Sequence, residues 1–224
     1  KLKLITVKKY LVLQDDELRF CKMIYYKSET DFNLKTKRCG FKHFYNLQIE
    51  IESNYKYMDT SRGLARVSTK IFELKQFLRK ELNCSDLIHS TDTIKESEIL
   101  DYQLKNLFIE DSKNSFLFKG IADVEKIKDF LNLYNEYAVL RNPESFYSNS
   151  LHDDIDIICE SRSRLIKFLG AVPSTNSRSR VLFNVPHRNG SIKVDLRSPD
   201  DRYYPSSWSY KMLKNRIYNK KLNI

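Results

Sequence analysis

Residues Ser150-Leu151-His152-Asp153-Asp154-Ile155-Asp156-Ile157-Ile158-Cys159 constrain the fold more than any other stretch. Side chains alternate across a strand, so Asp154 and Asp156 fall on one face while Ile155 and Ile157 fall on the other. Two carboxylates held side by side repel unless a proton or cation stands between them, and hard oxygen ligands suit magnesium. The stretch predicts a strand with one apolar face and one acidic face. A third acid follows in Gly190-Ser191-Ile192-Lys193-Val194-Asp195-Leu196-Arg197, where Ile192, Val194 and Leu196 alternate with Lys193, Asp195 and Arg197. That is the period of a half-buried strand, and it puts Asp195 on one face with two cations. Asp153 is expected on the opposite face, and Asp200 and Asp201 in a loop.

The segments around these strands alternate between helical and extended patterns. Ser115–Gly120 is a short apolar run. Asp123 to about Tyr134 sets Val124, Ile127, Phe130, Leu131 and Tyr134 on one helical face. Glu136–Leu140 reads as a strand. Ser161 is placed to cap a helix whose apolar side is Leu165, Ile166 and Leu169, closed by Gly170. Arg180–Val185 and Ser191–Arg197 form a hairpin about Asn189-Gly190. A last helix, Ser207 to about Tyr218, carries Trp208, Met212, Leu213 and Ile217, with Trp208 expected to pack on the sheet.

The first half reads differently. Tyr45, Leu47, Ile49 and Ile51 alternate with polar neighbours, which argues a half-exposed strand in a small antiparallel sheet. Leu64, Val67, Ile71, Leu74, Phe77, Leu78 and Leu82 recur at three- and four-residue steps, predicting one amphipathic helix from Arg62 to Leu82. Thr93-Ile94-Lys95-Glu96 has the form of a capping box opening a second helix to about Phe108. Polar residues 110–114 separate the halves, giving an N-terminal α+β part over 1–115 and a C-terminal domain over 116–224.

With 224 residues and 41% hydrophobic content the chain is long enough to bury real cores. Its formal charge of +10 favours polyanionic partners, although the basic residues form no stripe and biased coding toward Lys, Asn and Ile accounts for much of the excess. Cys21, Cys39, Cys84 and Cys159 lack paired spacing, so free thiols in the cytoplasm or another reducing compartment are expected. No apolar run reaches the roughly 18 residues of a membrane span. Hydrolase elbows, Walker loops and dinucleotide glycine patterns are absent.

The order of elements, with Asp154-Ile155-Asp156 in one strand and Asp195 in a later one, resembles the nucleotidyltransferase fold of the polymerase-beta type over about residues 116–220. Asp200-Asp201-Arg202-Tyr203-Tyr204, with Trp208 and Met212-Leu213 beyond, is similar to small nucleotidyltransferase-like proteins. The resemblance implies a mixed sheet flanked by helices, in an α/β (α+β overall) chain. It also implies transfer of a nucleoside monophosphate from an NTP, with magnesium, or manganese in its place, on Asp154, Asp156 and Asp195. That family carries a Gly-Ser pair before its paired acids; here the stretch is Leu140-Arg141-Asn142-Pro143-Glu144-Ser145, so Arg141, Asn142 and Ser145 take the phosphate-binding role, with Ser148 as a further substitute. Lys193 and Arg197 flank Asp195 as further phosphate contacts, with Arg180 and Arg188 as weaker ones.

Other constellations carry less. Leu87-Ile88-His89-Ser90-Thr91-Asp92-Thr93 is similar to the histidine segment of nucleoside diphosphate kinases, but a helix cap explains the same letters. His43, His152 and His187 have no metal-ligand spacing. Tyr203, Tyr204 and Trp208 are able to stack on a base. The expected partners are a nucleotide and a nucleic-acid or protein acceptor, with no membrane span. The competing functions are a sugar or polyol phosphotransferase and a non-catalytic subunit of a larger assembly, a virion among them.

Overall fold

In the computed structural model, which describes residues 2–28, 31–52, 54–60, 63–83, 88–91, 93–112, 115–141, 154–174 and 181–217, the first strand is β1, Leu2–Leu11. Tyr10 on β1 enters a cluster of rings. It stacks on Phe44 with centroids 5.1 Å apart and on Phe116 at 5.3 Å, and meets Phe108 edge-on at 4.8 Å. These contacts fix which strands surround β1. His43–Ile51 (β2) pairs with it antiparallel, and Ser115–Phe118 (β6) pairs on its other side in parallel. Phe108–Ser112 (β5) then hairpins onto β6, giving the order β2-β1-β6-β5.

Helices α1 (Glu17–Ile24) and α2 (Phe32–Cys39) lie between β1 and β2 in sequence. Phe20 of α1, fully buried, stacks on Phe44 at 5.4 Å and meets Phe108 edge-on. Asp31 caps α2 by accepting from the Asn33 and Leu34 amides, and Gly40 ends it at φ 58°. The single helix expected over 62–82 is corrected. Gly63–Ser68 is a strand (β4) paired antiparallel with β3 (Tyr55–Thr60), and the helix α3 spans only Thr69–Glu81. Leu64 and Val67, three residues apart, fit only the helical step, but they lie on opposite faces of β4, Leu64 exposed and Val67 buried, because pairing with the preceding Tyr-rich strand overrides that spacing.

Helix α4 (Ile94–Leu107) begins where the capping pattern puts it, the Thr93 hydroxyl accepting from the Glu96 amide at 3.2 Å. The polar stretch after it was expected to separate the halves. Instead β5 and β6 close the first sheet across it, so the apolar run beginning at Ser115 belongs to that sheet. By contacts the chain divides into two units, Lys1–Cys21 with Ser28–Phe118, and Lys22–Lys27 with Lys119–Ile224.

The second unit opens with α5 (Val124–Tyr134), capped by Asp123, which accepts from the Lys126 amide at 2.9 Å. Then come β7 (Tyr137–Arg141), β8 (Ile155–Cys159), α6 (Arg162–Leu169), β9 (Val172–Pro173), β10 (Leu182–His187), β11 (Gly190–Arg197) and α7 (Ser206–Lys214). Strand order is β7-β8-β11-β10-β9, with β8 and β11 parallel and the other pairs antiparallel. The whole chain is α+β, as the alternation of patterns predicts. Every residue of β8 is buried, as expected of a central strand covered on both faces. Ile127, Phe130, Leu131, Leu165 and Phe168 are fully buried, and Tyr26 packs edge-on against Phe168 at 4.7 Å.

The hairpin β10–β11 is tighter than expected. His187 and Gly190 are its closing pair, and Gly190 opens β11 at φ 145°, a conformation only glycine adopts readily. Ser161 sits at the start of α6 without a side-chain cap bond, while Gly170 ends that helix as predicted. Among the described residues no helix is long and apolar enough to cross a membrane.

Candidate metal centre

Strand pairing builds the site as a row across the sheet. Asp156 of β8 stands beside Asp195 of β11 in the parallel ladder, and beside Arg141 of β7 on its other side. Adjacent like charges destabilise a sheet unless something offsets them, so the row is the feature that calls for explanation. Together with Asp154, just ahead of β8, the two acids form a cluster in which one ligand oxygen from each lies within 4.8 Å of the others. The three acids picked out by alternation are therefore brought together.

A shift in register places Arg141. Val139 pairs with Ile157, so regular antiparallel pairing puts Leu140 beside Asp156; the strand slips by one residue between Val139 and Arg141, and Arg141 takes that position instead. An extra residue of this kind re-aims the side chain after it. The Arg141 guanidinium donates to Asp156 Oδ2, although the Arg141 side chain is 74% exposed. Nothing in the sequence pattern announces a bulge at Leu140, and the pairing with Asp156 was not foreseen.

Arg197 has the matching role on the other acid. Its Nη2 donates to Asp195 Oδ2 at 3.0 Å and its Nε lies 2.9 Å from Oδ1, while its guanidinium plane rests 3.9 Å from the Tyr203 ring centroid. Arg141 and Arg197, expected on phosphate, thus sit on carboxylates. Lys193 is exposed on the same strand as Asp195, and among the described residues no carboxylate pairs with it. Arg188 is exposed in the hairpin turn. Asn142, Ser145, Ser148, His152, Asp153, Arg180 and Cys84 lie outside the described residues.

Burial, the largest cause, pushes the Asp195 carboxyl above its ordinary pKa; Arg197 pulls it down without offsetting this, and the charges of Asp156 and Asp154 add to the rise. Asp156 is 7% exposed, so its charge is held in a poorly hydrated place by Arg141. The donor set fits a hard divalent cation. Three carboxylates that each bring an oxygen within 4.8 Å of the others are the hard oxygen donors that magnesium or manganese would take. Asp195 Oδ1 is buried and accepts no hydrogen bond, although Arg197 Nε lies 2.9 Å from it.

The remaining candidates are structural. Asp201 accepts from the Ser198 and Tyr203 amides in the turn Pro199–Asp201. Cys159 donates to the Arg197 carbonyl at 3.3 Å, and burial pushes its thiol up to about 12, which favours the neutral form. His187 is partly buried, with Nε2 lacking a hydrogen-bond partner, and burial lowers its pKa against the pull of Asp123. Among the described residues Cys21, Cys39 and Cys159 form no disulfide. Trp208 corrects its expectation, being 63% exposed on α7 while Ser209 and Leu213 turn inward.

Compared with protein-family models, curated proteins and solved structures, the chain matches none.

Proposed function

We propose that the second unit is a divalent-metal-dependent nucleotidyltransferase, moving a nucleoside monophosphate from an NTP to an acceptor hydroxyl. One observation carries the reading: three carboxylates from two neighbouring segments offer oxygens within 4.8 Å of one another on one side of a mixed sheet. Asp154, Asp156 and Asp195 are the residues that would hold magnesium or manganese. Such an ion would supply positive charge to the attacking oxygen and to the departing pyrophosphate.

The residues of the chain have three tasks. The carboxylates position the reacting groups, and one of them takes the acceptor's proton as its oxygen bonds to the α-phosphorus and the bond to pyrophosphate breaks. Arg141 and Arg197, on Asp156 and Asp195 in the structure, carry the forked donors that would also suit phosphate oxygens. Lys193, exposed on β11, adds a further charge to the triphosphate side. The test incubates the chain with magnesium and each NTP labelled at the α-phosphate, across RNA, DNA, protein and sugar acceptors. Label reaches an acceptor with the native chain and not with Asp156→Ala; no transfer, together with no magnesium-dependent thermal shift by any nucleotide, contradicts the reading.

A second reading, a non-catalytic subunit, is favoured by one fact: Asp156 and Asp195 already have guanidinium partners, which is how structural ion pairs are built. It predicts that Asp156→Ala lowers stability and changes no binding of metal or nucleotide.

A further inference from the structure

The positive charge of the chain is not evenly spread. The first unit carries 19 lysines and arginines against 17 acids, and the second 20 against 12. After Asp201 no acid occurs at all, while six basic residues follow. Within this segment α7 turns Ser209 and Leu213 inward and leaves large aromatics outside, Trp208 at 63% and Tyr210 at 55% exposed. At roughly 100° per residue the outward arc of α7 runs Tyr210, Lys214, Ser207, Lys211, Trp208. Two ammonium groups are thus flanked on each side by an aromatic face. Among the described residues neither lysine pairs with a carboxylate.

Exposed tryptophan beside lysine and tyrosine is the chemistry of a single-strand binding surface, in which cations track phosphates and rings take unpaired bases. An apolar partner does not account for the two lysines at the centre of the arc, and a second copy of α7 would face them with like charge. Tyr203, 60% exposed five residues ahead of Trp208, stacks on Arg197 and so links this segment to Asp195. Arg216 takes no part, because it donates to the carbonyls of Leu213 and Asn135 and ties down the end of α7.

We infer that the outward face of α7 binds single-stranded nucleic acid through Trp208, Tyr210, Lys211 and Lys214. Identifying the bound strand as the acceptor rests on the transfer reading above; its binding does not. Trp208 is the only tryptophan in the chain, so its emission reports directly on this face. The experiment titrates the full chain, in EDTA and without nucleotide, with a homothymidylate single strand and with the corresponding duplex.

The single strand is expected to quench Trp208, and affinity to fall between about 50 and about 200 mM salt. Tyr210→Ala weakens binding about tenfold, as loss of one stacked base does. Joint Lys211→Gln and Lys214→Gln substitution lowers the salt slope by about 1.4. These side chains are exposed, so the variants keep the native melting temperature. No quenching, equal response to the duplex, or insensitivity to these substitutions overturns the inference. So does a Trp208 response to protein concentration alone, which assigns the face to self-association. Quenching by a strand that never acquires label leaves this inference standing and removes only the strand's identification as the acceptor.

Discussion

The first unit packs rings around Tyr10 and keeps its buried charges, Glu17 and Lys75, on helices, whereas the second sinks Asp156 into a central strand otherwise made of buried isoleucines and cysteine. The contrast lies in what each interior costs. Tyr10, Phe20, Phe44 and Phe108 gain from burial and from edge-on and stacked geometry, with little polar group to satisfy. A carboxylate nine-tenths buried loses hydration and recovers it only through partners. An apolar residue at position 156 would avoid that cost, and what sets Asp156 apart from the equally buried Glu17 is its place beside Asp195 and Asp154.

Substitutions can break or sharpen this comparison. The largest effect is expected in the aromatic interior: Phe20→Ala costs about 3–5 kcal/mol, the range for truncating a buried ring, read from urea denaturation. Manganese binding by the remaining folded protein should be unchanged; a joint loss contradicts the separation of scaffold from site. Next is Arg141→Gln, which removes a competitor for Asp156. It raises affinity for the metal alone by several-fold and weakens binding of the metal–NTP complex, measured by calorimetry; a fall in both assigns Arg141 a structural role. The smallest effect concerns His187. Its folded pKa is lowered by burial, so its contribution is present above the ordinary histidine value of about 6.5 and is lost as pH falls through the folded value. His187→Gln should flatten the decline in melting temperature below about pH 6.5, and an unchanged slope places that decline elsewhere.

Local pattern made one part of this structure readable and left another hidden. Alternation located β8 and β11 and put Asp154 and Asp156 on one face, the Thr93 capping pattern fixed the start of α4, and apolar spacing placed α5. What escaped was pairing. The parallel match of β6 to β1 joins Ser115 with Lys9, and no periodicity within either segment names so distant a partner. The β3–β4 hairpin hid inside a helical spacing for the same reason, since Val67 meets Lys56 only through the ladder. At the site, a one-residue slip at Leu140 decided that Arg141 faces Asp156, a consequence of register and not of composition. Exposure of Trp208 was missed because ring size argues for burial, while the helix turned its smaller Ser209 inward.

Manganese shares the oxygen-ligand preference of magnesium and is paramagnetic, so water-proton relaxation counts the ions a protein holds. Titrating the native chain beside Asp156→Asn and Asp195→Asn is the most direct measurement of the central claim, that three carboxylates from neighbouring strands grip a divalent ion. The account predicts saturable binding to the native chain and its loss in both variants. Binding that neither substitution alters, or no binding to the native chain with or without NTP, would contradict it.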